Sequence, residues 1–384
     1  MEYTTEDTSS KFNNQTKVEN TSACTNEYCV SDEDYIEMIE AYIFPTPYEW
    51  VLISLHITVF AVGLVGNSLV CISVYRNHSM RTVTNYFIVN LAVADFLVIL
   101  VCLPPSVLWD VTETWFFGGV MCKLVLYLQS VSVSVSVLTL TFISIDRWYA
   151  ICYPLKFKST SGRAKVAILI IWITSMLLVL PDVIVLDTKL HPGLKVETHY
   201  LTDCAYTWSD DNTQIYQLVI VLILYVAPFA LMSVTYYQIA RVLWNKNIPG
   251  NRNVKRTVTV TQNTKKGTTR CTTNQDSIES QIRSRRKAAK MLIAVIVMFG
   301  LCYLPVHLIN TLRYTIGLPQ THATAAASLI SHWLCYANSA VNPVIYNFMS
   351  GKFRREFRKS FCMLFTIQES EINSQTPTFR SLKK

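Results

Sequence analysis

Charge is what this chain has least of. Only 16% of its 384 residues are Asp, Glu, Lys or Arg, while 51% are hydrophobic; soluble domains carry about 25% charged residues. An ordinary soluble globule is thereby excluded. A nucleic-acid partner is excluded with it, because the basic residues behind the formal charge of +8 sit in short segments between long apolar runs. No basic region precedes the first run, which lies behind about fifty polar residues, so a cleavable signal peptide is not read there. The seven histidines (His56, His78, His191, His199, His307, His322 and His332) include no His-Glu-x-x-His pair. That removes the usual signature of a zinc hydrolase, and neither an enzyme nor a metal cluster is expected. The last apolar run, Ala323–Phe348, holds no lysine, so it cannot carry a retinal Schiff base. Internal repeats are lacking too, and an odd number of runs argues against a transporter built from matched halves.

What the chain does have is seven apolar runs: Trp50–Val74, Tyr86–Leu108, Gly119–Cys152, Val166–Val185, Tyr216–Val242, Ala288–Leu312 and Ala323–Phe348. Each is near the ~20 residues that a spanning helix needs. The expected fold is an all-α membrane protein, a seven-transmembrane helix bundle over residues 50–350. The third run is the longest. Its Val-Ser alternation from Val131 to Val137 imitates a strand, yet length decides for a helix. At ~1.5 Å per residue it would reach about 50 Å against roughly 30 Å of hydrocarbon, so it should tilt and protrude. Its serines suit close helix packing, with hydroxyls turned back to the carbonyl four residues earlier. Arg76, Arg81, Lys156, Lys158, Arg163, Lys165, Arg283, Arg285, Arg286, Lys287, Lys290, Lys352, Arg354, Arg355, Arg358 and Lys359 all fall on one side. The positive-inside rule makes that side cytosolic, which predicts a multi-pass plasma-membrane protein with its N-terminus outside and its C-terminus inside.

The segments around the bundle have their own chemistry. Residues 1–49 form an acidic extracellular segment in which Asn14 and Asn20 stand in glycosylation sequons. From Asp32, the residues Tyr35, Ile36, Met38, Ile39, Tyr42 and Ile43 recur at roughly helical spacing until Pro45 and Pro47. Either a short helix rests on the outer mouth or the whole segment is a disordered tail. Cys122 and Cys204 both fall on the oxidising side, which suits a disulfide between them; Cys24 and Cys29 offer a second pairing. Residues 187–211 form a polar loop with Pro192-Gly193 as a turn, a lid once Cys204 is tethered. Residues 243–287 are polar and basic and are read as a flexible cytosolic loop. Over 351–362, Phe353, Phe357 and Phe361 make an apolar stripe among basic residues. This predicts a short amphipathic helix along the inner membrane surface, in contact with lipid and ending at Cys362, a palmitoylation candidate. Residues 363–384 are a cytoplasmic tail.

Polar residues inside the runs are the functional candidates. An intramembrane carboxylate is costly, and Asp95 has Asn67, Ser136, Asn338 and Asn342 as polar neighbours on other helices. Together they could hold a hydrated cation, sodium being the ion expected and no other cofactor being called for; mutual hydrogen bonding between helices is the alternative. Gln129, Tyr216, Gln217, Tyr225, Tyr303, His307, Asn310, His332 and Tyr336 lie in the outer halves of their helices. A cup lined by aromatics, amides and histidines suits an uncharged C-terminal amide, which needs both donors and acceptors. Trp115 is a further ligand-binding candidate. At the inner end Asp146-Arg147 is a charge pair beside Tyr236 and Tyr346, while Pro228, Pro305 and Pro343 interrupt hydrogen-bond ladders and predict loosened or kinked helices.

Gly66-Asn67, Leu91–Asp95, Trp115 with Cys122, Asp146-Arg147, Trp172, Pro228, Cys302–Pro305 and Asn342-Pro343 through Tyr346, in order on seven successive helices, resemble the signature of rhodopsin-like G-protein-coupled receptors. Tyr48–Ile53, Met80–Phe87, Thr112–Gly118, the serine-valine run and Asp146–Cys152 are similar to orexin receptors and their invertebrate counterparts, the allatotropin receptors. The resemblance implies a C-terminally amidated neuropeptide ligand and a heterotrimeric G protein, mainly through the Gq route of calcium release. Receptor kinases and arrestin are further implied partners. It also implies pocket roles for Gln129, Tyr303, Asn310, His332 and Tyr336, with Asp110 at the rim. The uncharged Gln129 stands where an amine receptor would carry its acid. His307 replaces a small residue, Ile220 an aromatic, and Ala205-Tyr206 replace acids found in orexin receptors. The allatotropin branch is therefore expected ahead of orexin.

Overall fold

The computed structural model describes residues 26–362 except 27, 155–159, 192–193, 195, 197, 245–257, 261–270 and 320. Asn14, Asn20, Cys24, Lys156, Lys158, Pro192-Gly193 and the tail 363–384 lie outside the described residues. Lipid offers no partner to backbone N–H and C=O groups, so apolar runs of this length satisfy them internally as helices. Among the described residues six helices are long and apolar enough to cross a membrane: Pro47–Arg76, Val83–Thr112, Gly118–Cys152, Ser161–Val185, Asp210–Trp244 and Ile282–Ile316. The seventh, His322–Met349, packs against the first and sixth. It is less apolar because it carries Ser331, His332, Asn338, Ser339 and Asn342, and all but His332 are buried.

The third span runs unbroken for 35 residues through the middle of the bundle, burying Val131, Val135, Ser136, Leu140, Ile143 and Ser144. Thr141 and Ser144 do donate back to the carbonyls of Val137 and Leu140, at 2.9 and 2.7 Å. The serines of the alternating stretch behave otherwise. Ser136 lies 3.5 Å from Asp95 Oδ1, and Ser134 Oγ is buried without a hydrogen bond. Across three helices Trp172 Nε1 donates to Asn90 Oδ1 and Asn90 Nδ2 to Thr139 Oγ1, both at 2.8 Å.

Prolines mark the irregularities. Pro228 cannot donate to the helix ladder, and the turn before it, Leu222–Val226, widens into a π-helix closed by the Ala227 N–H on the Leu222 carbonyl. Pro104-Pro105 have the same effect on Val98–Cys102 in the second span, an irregularity the run of apolar residues did not announce. Pro181 splits the fourth span into Ser161–Leu178 and Leu180–Val185. The sixth and seventh helices continue through Pro305 and Pro343.

Three segments differ from the sequence reading or settle a choice it left open. Residues 32–43 are a helix, capped by Ser31 and burying Tyr35 and Ile39, with Tyr42 Oη bonded to Glu113 and Tyr200 Oη to Glu40 at 3.2 and 2.8 Å. The polar loop, for which no strands were read, contains an antiparallel hairpin, β1 (Leu186–Leu190) with β2 (Thr202–Tyr206), Thr188 opposite Cys204. The Cys122–Cys204 disulfide, with its Cα atoms 5.7 Å apart, fixes the middle of β2 to the third span. Cys29 is also disulfide-bonded. Finally, the sixth helix starts at Asn274 instead of Ala288, and short strands β3 (Val258–Val260) and β4 (Cys271–Thr273) pair ahead of it, so the expected loop 243–287 is not irregular throughout. Arg283, Arg285, Arg286, Lys287 and Ala288 are good helix formers, which extends the helix beyond the apolar run. After the seventh span, residues 351–362 are helical, with Phe353 and Phe357 buried and Phe353 stacked 5.5 Å from Tyr346.

Close approach of the first and seventh spans depends on Gly66. A Cβ there would lie 2.8 Å from Pro343 Cβ, part of a ring held within a helix. Gly66→Ala should destabilise the purified protein by about 1–3 kcal/mol. Gly162→Ala, with nothing within 4 Å of its Cβ, should change stability by less than about 1 kcal/mol. Melting temperatures in one detergent check both.

Candidate functional site

The side chains read as lining an outer cup lie toward the Cys122 end of the helices, and several of them are bonded to one another across spans. Tyr336 is buried, its hydroxyl 2.9 Å from Ser106 Oγ and 3.1 Å from Gln129 Oε1, so the seventh, second and third spans meet there. One turn nearer the mouth His332 Nδ1 lies 2.9 Å from Asp110 Oδ1. The expected pocket residues Gln129, His332 and Tyr336 and the expected rim residue Asp110 thus pair with one another, joined by Ser106, which the sequence reading did not single out.

The fifth and sixth spans form a ring ladder. Tyr303 is packed between Phe299, at 4.9 Å between ring centres, and His307, at 6.1 Å; Tyr225 stands 4.8 Å from His307 and donates to the Gly300 carbonyl at 2.9 Å. Asn310 is half-buried one turn further along. Tyr216 and Gln217 belong to a different wall. Tyr216 Oη donates to Asp182 Oδ1 at 2.9 Å, Tyr206 Oη to the same oxygen at 3.2 Å, and Gln217 Nε2 to Tyr206 Oη at 3.2 Å. Burial first, and then the neighbouring Asp182 charge, push the Tyr206 phenol far up, so it stays a donor. Asp182 and Tyr206 were not among the expected site residues, although an acid at the end of an otherwise apolar run was a usable signal.

Trp115 does not join the cup. It is 2% exposed, donates from Nε1 to the Gly118 carbonyl at 3.0 Å, packs edge-on against Trp109 and Phe117, and gives its backbone N–H to Thr202 in β2 at 2.7 Å. An indole suits a pocket wall and a packed core equally, and here it anchors the hairpin.

Mid-bundle, Asp95 is 1% exposed and takes a 2.8 Å hydrogen bond from Asn342 Nδ2. Asn67 Nδ2 donates to the carbonyls of Gly63 and Ser339, at 2.9 and 3.1 Å. The side-chain oxygens of Asn67, Asn338 and Asn342 are buried and accept nothing from the protein. A carboxylate and idle amide oxygens are hard ligands, the donor type that a small cation with its water takes. Among the described residues no group of three His, Cys, Asp or Glu could hold a metal.

At the other end Arg147 is bound to its neighbour Asp146 through Nε, at 3.0 Å, and Nη2. Arg147, Tyr236, Ile239, Arg285, Ala289 and Leu292 line a cavity of about 160 Å³. Among the described residues the sixth helix offers Arg147 no carboxylate there; Arg286 bonds instead to the Leu243 carbonyl at 2.8 Å and lies over the Trp244 ring. Trp148 Nε1 donates to Gln238 Oε1 at 2.6 Å, a link between third and fifth spans that the sequence did not suggest. Tyr346 is buried against Phe353, and Cys362 is exposed at the end of the final helix.

Seven helices, a disulfide-tethered lid over a polar cup and an acid-arginine pair at the opposite end define a multi-pass plasma-membrane receptor, not an enzyme. The chain belongs to the rhodopsin family of 7 transmembrane receptors, whose family model matches residues 66–346. It is 29% identical over 331 residues to a QRFP-like peptide receptor of Branchiostoma floridae, covering 85% of this chain and 80% of that one. It is 31% identical over 337 residues to neuropeptide FF receptor 2 of Mus musculus, covering 85% and 76%.

Asp110 and His332 should behave as one unit. Asp110→Asn and His332→Gln are each expected to lower the melting temperature, and the double variant to cost less than the sum, with a coupling of about 0.5–3 kcal/mol. A melting-temperature cycle on the four proteins measures it.

Proposed function

We propose that this receptor answers a C-terminally amidated neuropeptide and passes the signal to a heterotrimeric G protein, by the Gq route to intracellular calcium. The observation that carries the reading is the cup floor: Gln129, Ser106 and Tyr336 are neutral, and the nearby acid Asp110 is already engaged by His332. Such a floor offers donors and acceptors without a free counter-charge, which suits a terminal amide and not an amine. The sequence resemblance favours an allatotropin-like peptide, with an orexin-like one next. The names of the two relatives favour, as a second reading, a peptide of their kinds. The cup faces outward, with the N-terminus outside, Asn14 and Asn20 glycosylated, and the basic end and C-terminus in the cytosol.

Signalling is a shift between two populations of the bundle. Peptide contacts with Gln129, Tyr303, His307, Asn310, His332 and Tyr336 favour an arrangement in which the sixth helix swings outward about Pro305. Arg147 then leaves Asp146, Tyr236 and Tyr346 repack, and the 160 Å³ cavity widens to take a helix of the G protein. Receptor kinases and arrestin use the same face, and palmitoyl-Cys362 would fasten the last helix to lipid. A sodium ion held by Asp95, with Asn67, Ser136, Asn338 and Asn342 around it, would favour the resting population.

Cells expressing the chain should release calcium in response to one or more members of a panel of amidated peptides that includes allatotropin-like and orexin-like sequences. Silence to the whole panel, with the receptor at the surface, would remove the peptide assignment. Asp146→Ala should raise ligand-free signalling at normal surface expression, and an unchanged basal level counts against the Arg147 restraint. Replacing sodium by choline should lower the melting temperature of the wild type and leave Asp95→Asn unmoved; equal responses would dispose of the ion.

A further inference from the structure

Asp182 ends the fourth span inside the protein, 2% exposed, and forms no salt bridge among the described residues. A carboxylate only accepts hydrogen bonds, so both phenols at its Oδ1 must be donors: Tyr216 from the fifth span at 2.9 Å and Tyr206 from β2 at 3.2 Å. With their protons committed, the phenol oxygens have only lone pairs left to present. Tyr206 already accepts one N–H of Gln217 Nε2, which leaves the Gln217 Oε1 as an acceptor and its second N–H as a donor. Tyr206, Tyr216 and Gln217 are all half-buried, so this wall retains an open face. Trp208 completes it, with its ring 5.7 Å from Tyr206 and 5.4 Å from Tyr216, while Tyr206 and Tyr216 are 6.0 Å apart. Three aromatic rings in mutual contact, acceptor oxygens between them and a buried carboxylate held, among the described residues, only by hydrogen bonds from the two phenols and Ser130 are surroundings that stabilise a cation through ring quadrupoles and charge together. Lys189 Nζ, from the paired strand β1, already bonds the Tyr206 backbone carbonyl at 2.6 Å.

We propose that Tyr206, Trp208, Tyr216 and Gln217 form a subsite for a guanidinium or ammonium group of the ligand, and that Asp182 is the positioning residue that turns their acceptors outward. The subsite lies on a different wall from the Gln129–Tyr336 floor, so one peptide could reach both, its amide on the floor and a basic side chain here. This part of the inference rests on the peptide reading; the subsite itself does not.

Purified full-length receptor tests the subsite without any peptide. Millimolar argininamide should raise the melting temperature more than citrullinamide, its neutral isostere, and the difference should shrink in Asp182→Asn and in Tyr216→Phe, which keeps the ring. No preference for argininamide in the wild type, or an equal preference in both variants, overturns the proposal. Should Asp182→Asn not fold, Tyr216→Phe and Tyr206→Phe carry the test. With an activating peptide in hand, exchanging its basic residue for citrulline should cost about tenfold in potency on the wild type and little further on Asp182→Asn. Equal losses on both receptors, or an activating peptide with no basic side chain, would remove the subsite from ligand recognition. A silent peptide panel beside intact argininamide selectivity would strike the peptide reading alone.

Discussion

Everything in this bundle answers to one constraint: a polar group taken out of water must find its partner within the protein. For the backbone the answer is the helix, and it explains why the spans run almost without interruption. For side chains the answer is helix-to-helix bonding. The Trp172–Asn90–Thr139 strap, the Asp95–Asn342 bond and the Tyr336–Ser106–Gln129 cluster each join different spans at a separate depth. Each such bond contributes only about 0.6 kcal/mol on average in a membrane, so their effect is on register more than on total stability. Where the proteins' own partners run out, as at the idle oxygens of Asn67, Asn338 and Asn342, function becomes the natural explanation.

The same constraint orders the cup. Its deepest polar atoms are mutually bonded, and its unspent capacity lies nearer the mouth, on the wall made by Tyr206, Tyr216 and Gln217 and along the face of His307 and Asn310. The hairpin is held over it from three directions: the disulfide to the third span, the Trp115 backbone bond to Thr202, and the phenol of Tyr206 on Asp182. A ligand therefore meets a lid whose position is set before it arrives, which lowers the ordering cost of binding.

Much of this was readable in the amino-acid string, because a seven-fold pattern of long apolar runs leaves little choice of architecture. The Asp95–Asn342 contact and the placing of Gln129 beside Tyr336 were also legible, since polar residues in apolar runs are few, whereas Asp110 was reached through the family resemblance. Less was visible where contacts are long-range. The β1–β2 hairpin has no strand-like alternation and forms because Cys204 and Thr202 are held from outside it. Trp115 and Asp182 show two opposite failures: a residue type compatible with lining a cavity turned out to be packing, while an acid at a helix end, where water is usually near, turned out to be sealed in. The π-turns follow from prolines whose positions were plain but whose effect depends on how the helix relaxes around them.

The inner ends of the fifth and sixth spans are stitched together by Arg286 on the Leu243 carbonyl and by Arg286 and Lys290 over the Trp244 ring. Higher up, Tyr225 bonds to the Gly300 carbonyl, and Phe229 fills the space where Gly300 lacks a side chain. Swinging the sixth helix alone would tear these seams, whereas moving both as a single panel would preserve them. An outward swing of the sixth helix about Pro305 would then carry the fifth with it, and the widened turn before Pro228 would bend in the same stroke.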